Sequence, residues 1–138
     1  MENHPIQLVE LVTRELILDL RNPNEARQEN LQVEIRYSLG SSEYNTETKS
    51  IVVGLICEIN PQNLDAPLYI KVHIAGIFEV DDEKFPMDKL DHWSKHNAPI
   101  LLMPYVRENL HSLSTRAQAN IILPLVVLPV FSSQKENT

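Results

Sequence analysis

A single cysteine, Cys57, occurs in the 138 residues, so no intrachain disulfide can form. The class of small secreted domains stapled by disulfides is thereby excluded. Glycine is almost as scarce. The three present, Gly40, Gly54 and Gly76, lie far apart and none opens a helical pattern, so there is no glycine-rich phosphate loop and no dinucleotide fingerprint. No apolar run approaches the roughly 18 residues of a membrane span. Basic residues are in deficit, 12 Lys and Arg against 19 Asp and Glu, a net charge of −7. Such a chain is repelled by nucleic acid and by anionic membrane surfaces. The opening Met1-Glu-Asn-His-Pro5 has neither a basic region nor an apolar run of the kind a leader needs. These absences predict a cytoplasmic protein with no nucleic-acid partner, no membrane insertion and no nucleotide chemistry.

What is present is apolar residue in quantity, 43% of the chain, enough for one core at this size. One domain is expected over residues 1–131, followed by a flexible C-terminal tail at 132–138. Residues 6–20 read as a long strand, clearest where Leu16, Leu18 and Leu20 alternate with Ile17 and Asp19. Asn22-Pro-Asn24 closes it as a turn. Leu31, Val33, Ile35, Tyr37 and Leu39 alternate with polar residues, the pattern of a strand with one buried and one wet face. Residues 50–59 give a third strand and 68–74 a fourth, with Pro61 and Pro67 bounding their connection. The period then changes: Met87, Leu90 and Trp93 predict a short helix over 86–95, opened by Pro86. Leu102, Val106, Leu110, Leu113 and Ala117 predict a longer one over 99–117, in which Pro104 should distort or delay the first regular turn. The apolar, proline-containing stretch 121–131 is expected to be extended. Strands followed by helices make an α+β fold, an antiparallel sheet covered on one face.

Catalytic and metal chemistry find little support. His4, His73, His92, His96 and His111 are scattered; only His92 and His96 share a helical face, and no His-Glu-x-x-His pattern exists. Cys57 sits in the apolar run Leu55-Ile-Cys-Glu-Ile59, where a thiol is inert. No catalytic residue, metal site or cofactor is therefore expected, and the protein reads as a non-enzyme. Charge is concentrated instead. Residues 79–91 carry Glu79, Asp81, Asp82, Glu83, Asp88 and Asp91 against Lys84 and Lys89, a net −4. Glu15 and Asp19, four apart on a strand, project from one face with Ile17 between them. They form either a solvated sheet face or an acidic docking surface.

Ala75-Gly-Ile-Phe78, Asn97-Ala-Pro99, Pro104-Tyr-Val-Arg-Glu108, Ser114-Thr-Arg116 and Leu128-Pro-Val-Phe131, in this order and spacing, resemble the signature of the SecB family of protein-export chaperones. The resemblance implies a four-stranded antiparallel sheet with helices on one face, assembled as a homotetramer, a dimer of dimers. It implies a holdase that needs no ATP, binds unfolded precursor proteins in hydrophobic grooves and delivers them to the export motor SecA. Ile77, Phe78 and Tyr105 are the groove residues it points to, and Glu15, Asp19 and Lys71 fall on its SecA-contacting surface. Lys71 stands where the family usually carries an acid. The family also continues beyond the Pro-Val-Phe region into a C-terminal helix, whereas seven residues follow Phe131 here, which implies a more open groove. A SecB-like chaperone protecting the antitoxin of a toxin–antitoxin system is the alternative. A non-chaperone adaptor module is the reading from a different class.

Overall fold

The computed structural model describes residues 3–121. Four strands, β1 (Ile6–Leu20), β2 (Ile35–Ser41), β3 (Ser50–Ile59) and β4 (Leu68–Val80), form one antiparallel sheet in the order β1-β4-β3-β2. The helices are α1 (Pro23–Ala26), α2 (Leu90–His96) and α3 (Ala98–Arg116), with a 3₁₀ turn at Met87–Lys89 leading into α2. The chain is thus the expected α+β unit, and α3 lies across β4 and β3. The apolar stretch after Ile121 and the 132–138 tail lie outside the described residues.

Alternation in β3 and β4 decides where the core sits. Ile51, Val53, Leu55, Cys57 and Ile59 on β3 face α3 with Leu68, Ile70, Val72, Ile74, Phe78 and Val80 on β4, all buried. The stripe expected on α3 closes the layer: Leu102, Val106, Leu110 and Ala117 are buried and Leu113 packs against them. Each such side chain contributes about 1.5–3 kcal/mol by leaving water. Gly76 is needed at this face, because a Cβ there would lie 2.9 Å from both Leu102 Cδ2 and Phe78 Cε2.

Four expectations are revised. The second strand is shorter at its start than 31–39: β2 begins at Ile35, because Asn60 takes a left-handed turn (φ 57°) and carries the partner strand away. The Asn60 backbone N–H donates to Glu34 O at 2.8 Å and its Oδ1 accepts from Glu34 N at 3.1 Å, which ends the ladder. β4 runs six residues past Ile74 to Val80. Asn22-Pro-Asn24 is the start of a short helix rather than a plain turn, with Asn22 Oδ1 capping Glu25 N at 3.1 Å. Pro104 does not interrupt α3. It lies on the exposed side of the second turn, away from the buried stripe.

The helix expected over 86–95 divides into two parts for a physical reason. Met87, Leu90 and Trp93 recur every three residues, the period of a 3₁₀ turn, and the segment enters as one before relaxing to α at Leu90. Leu90 and Trp93 are buried, and Trp93 meets Phe78 edge-on with ring centroids 5.0 Å apart.

Candidate functional site

The outer face of the sheet, opposite the helices, presents Glu15, Ile17 and Asp19 on β1 as the alternation requires. They pair in register with His73, Lys71 and Tyr69 of β4. Upstream the alternation is broken twice, since β1 bulges between Leu8 and Glu10 and again between Thr13 and Glu15.

The acids on this face are compensated. Lys71 Nζ donates to Glu15 Oε1 at 2.9 Å, and this bond is the main reason the Glu15 carboxyl titrates below its ordinary range. His73 Nδ1 lies 3.8 Å from the same oxygen. Asp19 Oδ2 accepts from Arg21 Nε at 3.0 Å. Farther across the sheet Glu58 accepts from Tyr69 Oη at 2.7 Å and from Arg36 Nη2 at 3.1 Å. Partial burial works to raise the Glu58 carboxyl, but these two bonds outweigh it and the group ends below its ordinary value. Tyr69 is pushed up to about 12, by desolvation first and then by its bond to that carboxylate. His73 is nearly buried and its ring lies over Gly54, where a Cβ would come within 2.8 Å of Nε2. The outer face is therefore a mixed-charge network, with Val12, Ile17, Val52, Ile56 and Ile77 among it.

The three residues expected to line a groove lie on different surfaces of the chain. Ile77 pairs with Glu10 and Val52 on the outer face; Phe78, one residue on, points the other way and is fully buried against Trp93. Tyr105 lies on α3 and is exposed. Two of the clefts found elsewhere among the described residues bear on this. One, of about 670 Å³, lies between the 29–33 segment and the last turns of α3, lined by Leu31, Val33, Ala119 and Ile121 with His111, Ser114 and Asn120. The other, of about 450 Å³, has an apolar lining of Ile6, Leu8, Trp93, Ile100 and Leu101 beside His4 and Asn97. Sequence reasoning missed the first because Leu31 and Val33 read as strand. Their alternation continues that of β2 although they have left its ladder.

Further apolar surface remains open on the helix side of the sheet. Leu11 and Leu16 pair with Gly76 and Val72, so they face the layer occupied by α3, yet both are exposed because α3 covers β4 and β3 instead. Ile100, Leu101 and Tyr105 on α3 are exposed as well. Among the described residues no three His, Cys, Asp or Glu side chains are placed to hold a metal ion, and no helix is long and apolar enough to cross a membrane. His92 and His96 stack at 4.0 Å, and His96 Nδ1 lies 2.9 Å from the carbonyl of His92.

The family model for SecB, described as preprotein translocase subunit SecB, matches residues 1–130. The chain belongs to the SecB family. SecB proteins are chaperones and not enzymes, which accords with a surface rich in apolar residues and charge pairs. The fold agrees: this SecB-family chain superposes on a SecB-like chaperone of Mycobacterium tuberculosis, solved with a ChAD peptide from the HigA1 antitoxin, with a TM-score of 0.69. That match covers 88% of this chain and 91% of the other at 16% sequence identity. An uncharacterized protein of Methanocaldococcus jannaschii is 32% identical over 101 residues, 72% of this chain. This SecB-family chain matches 58% of that relative's length.

Proposed function

We propose that this SecB-family chain is a cytoplasmic holdase, independent of ATP, that keeps apolar stretches of aggregation-prone polypeptides out of contact with one another, an antitoxin-type client foremost. The observation that carries the reading is the cleft beside α3, whose lining brings the apolar Leu31, Val33, Ala119 and Ile121 together with polar His111, Ser114 and Asn120. Several weak apolar contacts along one client chain add through avidity, so no single deep pocket is required. The exposed Leu11 and Leu16 of β1 and the Ile100, Leu101 and Tyr105 edge of α3 support assembly of the chain with copies of itself as a dimer of dimers.

An antitoxin client is favoured over delivery to SecA by the outer face. Glu15 and Asp19 are each bonded to a cation of the same chain, so a basic partner tail would exchange one exposed ion pair for another at little gain. Delivery of precursors to SecA is the second reading, favoured by the family's description and by Glu15, Asp19 and Lys71 sharing one end of one face.

The test is suppression of aggregation, without nucleotide, of an isolated antitoxin and of an unrelated denatured protein. Protection of neither, or protection only with ATP, sinks the holdase reading and leaves an adaptor. The partner is settled by charge. Lys71→Glu frees Glu15 and adds a carboxylate, so it should tighten SecA binding at low salt, where surface charges are least screened. If the unaltered chain already binds SecA at physiological salt, and Glu15→Lys with Asp19→Lys abolishes that binding, delivery to SecA takes first place.

A further inference from the structure

The end of α3 decides where the chain goes next. Gln118 takes a left-handed backbone (φ 55°), its N–H donates to Thr115 O at 3.0 Å, and Ala119 N donates to Ser114 O at 3.0 Å. These bonds close the helix and reverse the chain, in a turn that glycine usually makes and that costs a residue with a side chain. Asn120 Nδ2 then donates to Arg27 O at 3.1 Å, which fastens the exit just ahead of Glu29 on the other wall of the cleft assigned above to the client. Ala119, Asn120 and Ile121 accordingly line that cleft with Leu31 and Val33. The next ten residues, Ile122-Leu-Pro-Leu-Val-Val-Leu-Pro-Val-Phe131, carry no polar side chain.

That run has the chemistry the cleft is to take from a client, and covalent bonds keep it near. Ile122 is joined directly to a residue of the lining, so no part of the run can be farther from Ile121 than ~36 Å. A linkage so short gives an effective concentration on the order of millimolar, far above that of a dilute client. Pro124 and Pro129 lack an amide N–H, so the run offers fewer main-chain hydrogen bonds than an ordinary stretch of client and is open to displacement by one. We propose that residues 122–131 are the resident occupant of this cleft, lying on Leu31 and Val33 until an unfolded polypeptide displaces them. This rests on the holdase reading and adds regulation to it. A client with a single apolar stretch loses to the tethered run, and one with several wins by avidity.

The experiment uses the full chain and a permanently unfolded client, reduced and carboxymethylated α-lactalbumin. Cys57 is fully buried, so Val127→Cys supplies the one reactive thiol for a polarity-sensitive fluorophore. Without client its emission should be blue, as for a dye out of water, and saturating client should shift it to the red. Val33→Ser, on the cleft wall, should shift it to the red with no client present. In parallel Leu125→Ser with Val126→Ser weakens the competitor and should tighten client binding roughly 3- to 10-fold. Red emission from the free chain, or blue emission that Val33→Ser leaves in place, overturns the proposal, because the run then lies elsewhere. Blue emission that appears only as protein concentration rises overturns it too, since a second copy's cleft is then the one filled. So does client affinity that the two serines leave unchanged or weaken. If neither the unaltered chain nor the serine variant binds client, the holdase reading falls and the competition with it, while the emission of the free chain still decides whether the run covers the cleft. The two failures are therefore told apart.

Discussion

At the scale of single residues, the tightest constraint is the ring of His73 lying over Gly54. Gly54→Ala places a methyl 2.8 Å from Nε2, so the ring must swing off the sheet at a cost of about 1–3 kcal/mol. Measured by urea unfolding, the same substitution in a His73→Ala background should cost within about 0.5 kcal/mol of nothing, since the clash has been removed. Cys57 and Tyr37 set the alkaline limit. Desolvation comes first in raising both, the thiol from 9.0 to about 12 and the phenol from 10.0 to about 12. Both are acids held neutral by the fold, so their contribution is complete below their ordinary values and is lost as pH rises through the folded ones. Stability should therefore fall between about pH 9 and pH 12. In Cys57→Val, a substitution without a titrating thiol, the fall should begin about one pH unit later, where an unfolded tyrosine ionises. A profile flat to pH 12 would show that neither group is shielded.

At the scale of elements, α2 is held by one buried indole. Trp93→Ala removes the ring that Phe78 meets edge-on and should destabilise the protomer by about 3–5 kcal/mol; a change within about 0.5 kcal/mol in urea unfolding would place the indole at the surface. The periodicities that announced β3, β4 and α3 were legible because in each case one face is wholly buried, so the pattern in the sequence is the pattern of the core. The start of β2 was illegible because its end is fixed by Asn60, 26 residues after Glu34, through bonds that no local pattern carries. The first half of β1 was obscured by its bulges, each of which turns over the alternation. The outer-face acids were legible as a pair, but their bonds to Lys71 and Arg21 belong to the folded geometry. Phe78 shows the opposite limit: a residue that carries the family resemblance can owe its place to packing alone.

At the scale of the whole molecule, the apolar surface left open on β1 and α3 predicts the assembly's weak point. Leu11→Asp together with Leu16→Asp should convert the proposed tetramer to smaller species by light scattering while leaving the protomer's secondary structure intact, since both side chains are exposed in the single chain. An unchanged mass would move the interface elsewhere. The two bulges of β1 have a further consequence at this scale. A long regular strand edge is a template on which aggregating chains grow, and a protein that keeps company with such chains is the one most exposed to contagion. In β1 the uninterrupted runs are 6–8, 10–13 and 15–20. The longest, six residues, carries the carboxylates Glu15 and Asp19, charges that discourage stacking. Broken in this way, the β1 edge gives an incoming chain no regular run longer than six residues to grow on.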